Sequence, residues 1–345
     1  GIIVYKRDAA GLYGGLPRPC IEKGRWVRMG RQAAVPRNRT QKKKVWVKMV
    51  QHRYVYLMLL PVMLYYLIFH YFPMVGVLIA FKDYSIRYTF WENIFNTPWV
   101  GLKHFEAYFQ SFYFARTFGN TLIINLYGLI FTFPAPIVLA LLLNEVRNMR
   151  FKKVVQSITY LPHFISMVVV AGLVIDFTSS DGLINTIIEA FGGESIQFLV
   201  EPEWFRTVYI LSAIWQEIGW GSIIYLAALA GVDAELYEAA VIDGAGRWKQ
   251  MLHVTLPSIT PTIIILLIMK IGQMMNVGVE KILLLYQPTT YETADVISSY
   301  VYRRGLLESE YSFSTAVDLF NSVVNFILLV SANKISKMLT ETSLW

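Results

Sequence analysis

Glu238-Ala239-Ala240-Val241-Ile242-Asp243-Gly244, followed by Val254-Thr255-Leu256-Pro257, is the stretch on which the reading of this chain turns. It is mostly polar, yet it separates two strongly apolar runs. Asp233 can cap a short helix, and Ala234 to Ile242 holds good helix formers. Gly244 and Gly246 permit a sharp change of direction, so a second short helix can follow at an angle. Leu256-Pro257 is expected to stop that helix just before the next apolar run. The product is an elbow, a compact peg that fits a groove on a soluble partner. The competing reading is an ordinary loop between two apolar helices.

Outward from the elbow the chain is apolar. Its 345 residues are 55% hydrophobic and 16% charged, with a mean hydropathy of +0.45. Soluble domains carry about a quarter charged residues. Long apolar runs at this composition specify an all-α polytopic membrane protein. The single cysteine, Cys20, excludes a disulfide framework and a cysteine-based metal site. Gly11 to Arg18 is not the apolar run that a lipid-modified cysteine requires before it.

Six spans are expected, at about Tyr54–Ala80, Phe118–Leu143, Val154–Phe177, Phe205–Ala230, Ser258–Leu285 and Thr315–Asn333. Each is near or above the roughly 20 residues that cross a hydrocarbon core. Pro61, Pro73 and Pro162 fall inside spans, where neighbouring helices or water can satisfy the freed carbonyls. Residues 54–345 thus read as one six-span unit behind a basic segment, 1–53, with no internal repeat.

Lys and Arg set the orientation. Arg37, Arg39, Lys42, Lys43, Lys44, Lys48 and Arg53 crowd the approach to the first span. Arg147, Arg150, Lys152 and Lys153 follow the second, Arg247 and Lys249 lie in the elbow, and Lys334 and Lys337 close the chain. The loop Thr178–Trp204 has neither Lys nor Arg but carries Asp181, Glu189, Glu194, Glu201 and Glu203. Both termini and the elbow are therefore expected in the cytoplasm, with Lys82–Thr117, Thr178–Trp204 and Tyr286–Ser314 outside. The net charge of +7 is mostly this topology signal, and no nucleic-acid partner is expected. The first 28 residues, rich in Gly, Arg and Pro, look foreign to the plan. Met29 is the expected natural start, since Glu22-Lys23-Gly24-Arg25-Trp26 can be encoded by a purine-rich ribosome-binding stretch.

No G-x-x-x-x-G-K-[ST] phosphate loop occurs, and Gly244-Ala245-Gly246-Arg247-Trp248-Lys249 lacks its spacing. ATP hydrolysis by that route must come from another polypeptide. There is no H-E-x-x-H; His52, His70, His104, His163 and His253 are scattered, and neither a metal site nor a Ser-His-Asp grouping is expected. No enzyme active site is legible.

These residues carry a resemblance. The elbow fits the EAA signature of membrane subunits of ABC-type importers, with Val254 where the pattern has Ile, a conservative departure. Further matching pieces are His70-Tyr71-Phe72-Pro73, Ala80-Phe81-Lys82-Asp83-Tyr84, Ala140-Leu141-Leu142-Leu143-Asn144-Glu145 and Tyr160-Leu161-Pro162-His163-Phe164-Ile165-Ser166. They continue with Ile214-Trp215-Gln216-Glu217-Ile218-Gly219-Trp220 and Ser343-Leu344-Trp345. Apart from the leader, the chain resembles a carbohydrate-uptake ABC permease of the lipoprotein-linked polysaccharide type, a branch of the maltose-permease-like family. The resemblance implies a complex in the bacterial cytoplasmic membrane: two permeases, two ATPase subunits that bind ATP and Mg, and an extracellular or periplasmic solute-binding protein. This chain would bind no cofactor itself. Glu238, Ala239, Ala240 and Gly244, with Asp243, Leu256 and Pro257 beside them, would form the coupling helix seated in the ATPase.

Polar groups inside a span are costly and mark a pathway. Lys270, Gln273, Asn276 and Glu280 fall within about 120° on one face of the expected fifth helix. Asp318, Asn321, Ser322 and Asn325 share a face of the last. Sugar hydroxyls need donors and acceptors, which amides supply together, and aromatic rings can stack on sugar faces. Trp215, Trp220, Tyr225 and Tyr286 join the amides as candidates. The competing reading has the amides bonding helix to helix and the aromatics forming an interfacial belt. Rival functions are an import permease for another solute, an ion-coupled carrier, or a membrane enzyme or anchor. A carrier would want carboxylates at mid-span, whereas Asp176, Glu280 and Asp318 sit nearer span ends.

Overall fold

The computed structural model describes residues 51–340 and 342–344. The expected leader, its Met29 start and the basic segment up to residue 50 lie outside the described residues. Among the described residues every named element is helical, and the one extended pairing is an isolated bridge between Lys82 and Trp99. The chain divides into two units at Tyr66. In the first, Arg53–Tyr66 is a 14-residue helix with Pro61 inside it and no buried residue. The second begins at Leu67 and holds everything that follows.

Five helical stretches are long and apolar enough to cross a bilayer: Arg53–Phe81, Phe112–Glu145, Met167–Ala190, Arg247–Ile271 and Tyr311–Thr340. The difference from six lies at Pro202–Ala230. That helix has 29 residues, but Gln216 and Glu217 sit at its middle and dilute its apolar character.

Proline positions shape these helices. Wide π turns occur at Leu67–Tyr71, Gly128–Thr132 and Met251–Thr255. Each ends two residues before a proline: Pro73, Pro134 and Pro257. Proline lacks an N–H, and its ring meets the carbonyl four residues back. Widening the preceding turn re-aims that carbonyl and lets the helix continue. The Phe133 N–H accordingly donates to the Gly128 carbonyl, five residues back, at 2.9 Å. Pro257 therefore does not stop the second leg of the elbow, as its position suggested; Arg247–Ile271 runs through as one 25-residue stretch.

Two expected spans are broken instead. Within Val154–Phe177, the helix Met149–Tyr160 tightens into a 3-10 turn at Leu161–Phe164, where Pro162 sits, and a new helix starts at Met167 under the Ser166 cap. Within Ser258–Leu285, the helix ends at Ile271 and resumes at Val279, leaving 272–278 unwound. Non-helical backbone at membrane depth persists only where protein or a watery cavity satisfies it. Both breaks are thus pointers to a site.

The buried side chains form three clusters. One gathers Ile124, Val174, Phe205, Val208, Ile282 and Leu285. A second is aromatic, around Tyr108, Tyr300 and Phe313. The third joins Ile137, Ala140, Tyr225, Leu229 and Ile259. Gly219 allows the Pro202–Ala230 helix to approach Met149–Tyr160 at van der Waals range; a Cβ there would strike the Thr159 carbonyl.

Candidate functional site

The elbow is built as a rigid hairpin of two legs. Asp233 caps Ala234–Ile242 by accepting from the Glu235 N–H at 3.0 Å. Gly244 has φ 76°, the left-handed region that glycine enters without strain. The Gln250 side-chain amide donates to the Ala245 carbonyl at 2.7 Å, and the Tyr237 hydroxyl meets Thr255 Oγ1 at 3.0 Å. Glu238, Ala239, Asp243, Gly244 and Pro257 are exposed, while Ala240 and Leu256 are half-buried. Ile242 is 85% exposed and Trp248 72%, and Val241 and Leu252 are exposed with them. Grouped apolar residues left this exposed on a short polar turn are what an interaction site presents.

A second constellation sits at the first helix break. The His163 ring lies flat on the Trp220 indole, 4.5 Å between centroids and 2° between planes, with Phe164 edge-on to both. His163 Nδ1 is 3.1 Å from Glu217 Oε2 and 3.3 Å from Oε1. The turn at Leu161–Phe164 carries His163, and one helical turn of Pro202–Ala230 carries both Glu217 and Trp220. Trp220 is 44% exposed, so the stack is an open platform with a carboxylate at its edge. Nearby on the same long helix, the Tyr209 carbonyl accepts from Lys281 Nζ at 3.2 Å, and the Tyr209 ring lies 4.8 Å under it.

The other pathway candidates separate. Trp215 lines an apolar hollow of about 360 Å³ with Val174, Phe177 and Leu211. It does not join Trp220, because five residues of helix turn it away by about 140°. Tyr225 is buried in the Ile137–Leu229–Ile259 cluster. Asn276, on the unwound segment 272–278, accepts from Asn321 Nδ2 and Asn325 Nδ2, each at 3.1 Å, and Asn325 Oδ1 accepts from the Met275 N–H at 2.8 Å. Asn321 and Asn325 are buried, and Asn321 Oδ1 has no partner. These three amides tie the unwound segment to Tyr311–Thr340. Lys270, Gln273, Glu280, Asp318 and Ser322 are exposed. Tyr286 accepts from Arg303 Nη1 at 3.4 Å, in the polar knot after the break.

His163 and Glu217 entered the sequence reading only inside matching pieces and the histidine count, and Lys281 not at all; none was a pathway candidate. Glu217 had a signal, since it is a carboxylate at the middle of an expected span, unlike Asp176, Glu280 and Asp318. His163 and Lys281 acquire their partners only through contacts 54 and 72 residues away in the chain.

The model of the family described as the binding-protein-dependent transport system inner membrane component matches residues 133–338, which contain both the elbow and the platform. The chain is 46% identical over 313 residues to the polygalacturonan/rhamnogalacturonan transport system permease protein YteP of Bacillus subtilis, covering 90% of this chain and 96% of that protein. It is 47% identical over 294 residues to protein LplB of the same organism, covering 85% and 91%. A chain in the crystal structure of the bacterial alginate ABC transporter, in complex with alginate pentasaccharide-bound periplasmic protein, shares 45% identity and a TM-score of 0.80 over 87% of this chain and 100% of that one. By the match over 133–338 and identities of 46% and 47% to full-length relatives, this chain belongs to the family of inner membrane components of binding-protein-dependent transport systems.

Proposed function

We propose that this chain is the permease subunit of an ATP-binding-cassette importer that passes oligosaccharides or polysaccharide fragments into the cytoplasm. The observation that carries the reading is the 46% identity to a polygalacturonan/rhamnogalacturonan permease along 90% of the chain. The alginate transporter supports it. The six-span unit is 54–345, with Pro202–Ala230 as the crossing whose polar middle faces the path. Both termini and the elbow face the cytoplasm, as the Lys and Arg distribution demands. The elbow, through Glu238, Ala239, Ala240, Asp243, Gly244, Leu256 and Pro257, docks in an ATPase subunit that binds ATP and Mg. A second homologous permease and a solute-binding protein outside complete the complex. This chain hydrolyses nothing itself.

The Trp220–His163–Glu217 platform and Gln273 are the groups that meet sugar. An indole face suits the C–H face of a pyranose, and a carboxylate beside it accepts from hydroxyls. The mid-helix Glu217 is also what an ion-coupled carrier would want, but such a carrier gives the exposed apolar elbow no task. The test is reconstitution with the sister permease, the ATPase and the solute-binding protein. ATP hydrolysis should rise when the binding protein carries an oligosaccharide. Stimulation only by a non-sugar solute, or uptake driven by an ion gradient without ATP, would sink the proposal.

A further inference from the structure

The segment after Phe81 has a construction that the transport reading does not use. Phe90–Asn96 is a short helix whose Asn93 and Ile94 turn inward, with Thr97 after them. Its other side presents Trp91 and Phe95, the latter 74% exposed; Ile86, Tyr88 and Trp99 are exposed beside them. The aromatic rings are held in place. Trp91 and Phe95 stack at 6.2 Å, and Trp99 stacks on Phe81 at 5.6 Å with planes 6° apart. Trp91 also stands edge-on to Phe72 at 5.8 Å. Phe72 and Phe81 are the first and last residues of the final helical turns of an apolar stretch suited to crossing the bilayer. The aromatic surface is thus packed against both ends of Phe72–Phe81.

Buried and half-buried side chains bond part of the segment's backbone from within. Asn93 Nδ2 donates to the carbonyls of Ser85 at 2.9 Å, Tyr88 at 3.0 Å and Thr89 at 3.1 Å, while its Oδ1 accepts from the Ser85 N–H at 2.8 Å. Lys82 Nζ donates to the carbonyls of Ile94 and Thr97, and Thr97 Oγ1 to that of Asn93. Thr89 and Glu92 close the helix start with a capping box. Carbonyls bonded inside the segment do not need water, which suits a segment at the edge of the acyl region. Aromatic rings with polar edges are the residues favoured at that depth.

We propose that the Ile86–Trp99 segment is an interfacial anchor that seats Trp91, Phe95 and Trp99 in the headgroup–acyl boundary of the lipid bilayer. The leaflet is the outer one if the orientation proposed above holds. The seating itself does not depend on that orientation. The partner is lipid because the surface packs on Phe72 and Phe81 of an apolar crossing stretch and turns aromatic rings outward.

The experiment uses the assembled importer in lipid nanodiscs, with cysteine-free partners and this chain carrying Cys20→Ser and Phe95→Cys labelled with bimane; Trp91→Cys is labelled in parallel. Phe95 is so exposed that its replacement removes little packing. Bromines near the top of the lipid acyl chains should quench the label, more strongly than bromines near the chain ends, and aqueous iodide should quench it little. Quenching by iodide alone would place the segment in water, and quenching by neither would place it under another protein; either overturns the anchor. Sugar-stimulated ATP hydrolysis in the same discs reports separately on the transport reading.

Discussion

Arg303 grips Asp295 with one guanidinium nitrogen 2.8 and 2.7 Å from its two carboxylate oxygens, and the Asp295 side chain has no exposed surface. Arg116 reaches the same carboxylate at 3.1 Å, and Ser299 donates to it at 2.8 Å. Asn120 donates to the Asp295 carbonyl at 3.0 Å and accepts from Arg206 at 2.7 Å. The Arg303 guanidinium also lies 4.7 Å over the Tyr291 ring. Burial opposes the Arg303 charge, but hydrogen bonds to Asp295 and Tyr286 outweigh it and leave its pKa above the usual guanidinium range. One carboxylate thus binds Phe112–Tyr127 to the short helices Tyr291–Ala294 and Ile297–Tyr302, with Pro202–Ala230 held alongside through Arg206.

Asp295→Asn should therefore weaken this knot severely. The amide keeps the shape but leaves two partly buried arginines without their counter-charge. Breaking a buried pair from one side costs about 3–5 kcal/mol. A marked fall in the thermal unfolding temperature of the purified complex is expected, and an unchanged one would show that the arginines find other partners.

The elbow yields a coupling prediction. Gly244→Asp puts a side chain at φ 76°, a strain of about 1–3 kcal/mol, and Glu238→Lys reverses an exposed charge. Both variants should insert normally yet lose ATPase co-purification or substrate-stimulated hydrolysis. Wild-type behaviour of both would remove the elbow from the ATPase interface.

The path candidates now predict different outcomes. Trp220→Ala removes the stacking face, and Gln273→Leu removes hydrogen bonds worth about 0.5–1.5 kcal/mol each, so both should lower uptake per assembled complex several-fold. Asn276→Leu should act on stability first, because Asn321 and Asn325 lose their shared acceptor. Uptake normalised to intact complex, measured beside thermal stability, separates the two effects.

Labelling tests the orientation. Asn185 is a poor reporter, being buried and bonded to the Ser179 and Ile196 carbonyls. Glu194→Cys, exposed on the same loop, should label from outside, and Lys249→Cys only after permeabilisation. The reverse pattern would invert the topology.

Gly219→Ala should destabilise the complex by about 1–3 kcal/mol. The new methyl meets the Thr159 backbone, which has no rotamer with which to yield. Since Gly219 lies between Glu217 and Trp220, uptake should fall with stability, and a stable, fully active variant would show that the two helices can part.

Composition and periodicity alone determined the all-α membrane class, because a polypeptide this apolar must satisfy its backbone within each segment. The elbow was equally legible: Asp233 and Gly244 act locally, through a cap and a φ angle, and need no distant partner. Prolines were legible as irritants but not in their outcome. Pro162 breaks its helix while Pro257 is absorbed by a π turn, and the local sequence does not distinguish the two. The expected amide stripe came apart for a similar reason. Its face assumed an unbroken helix, and once 272–278 unwinds, Asn276 turns to Asn321 and Asn325 while Gln273 stays open. Only the tertiary structure laid His163 on Trp220 beside Glu217 and buried Asp295 between two arginines. Those contacts join segments as far as 179 residues apart, and no local pattern encodes which distant charge a buried charge will find.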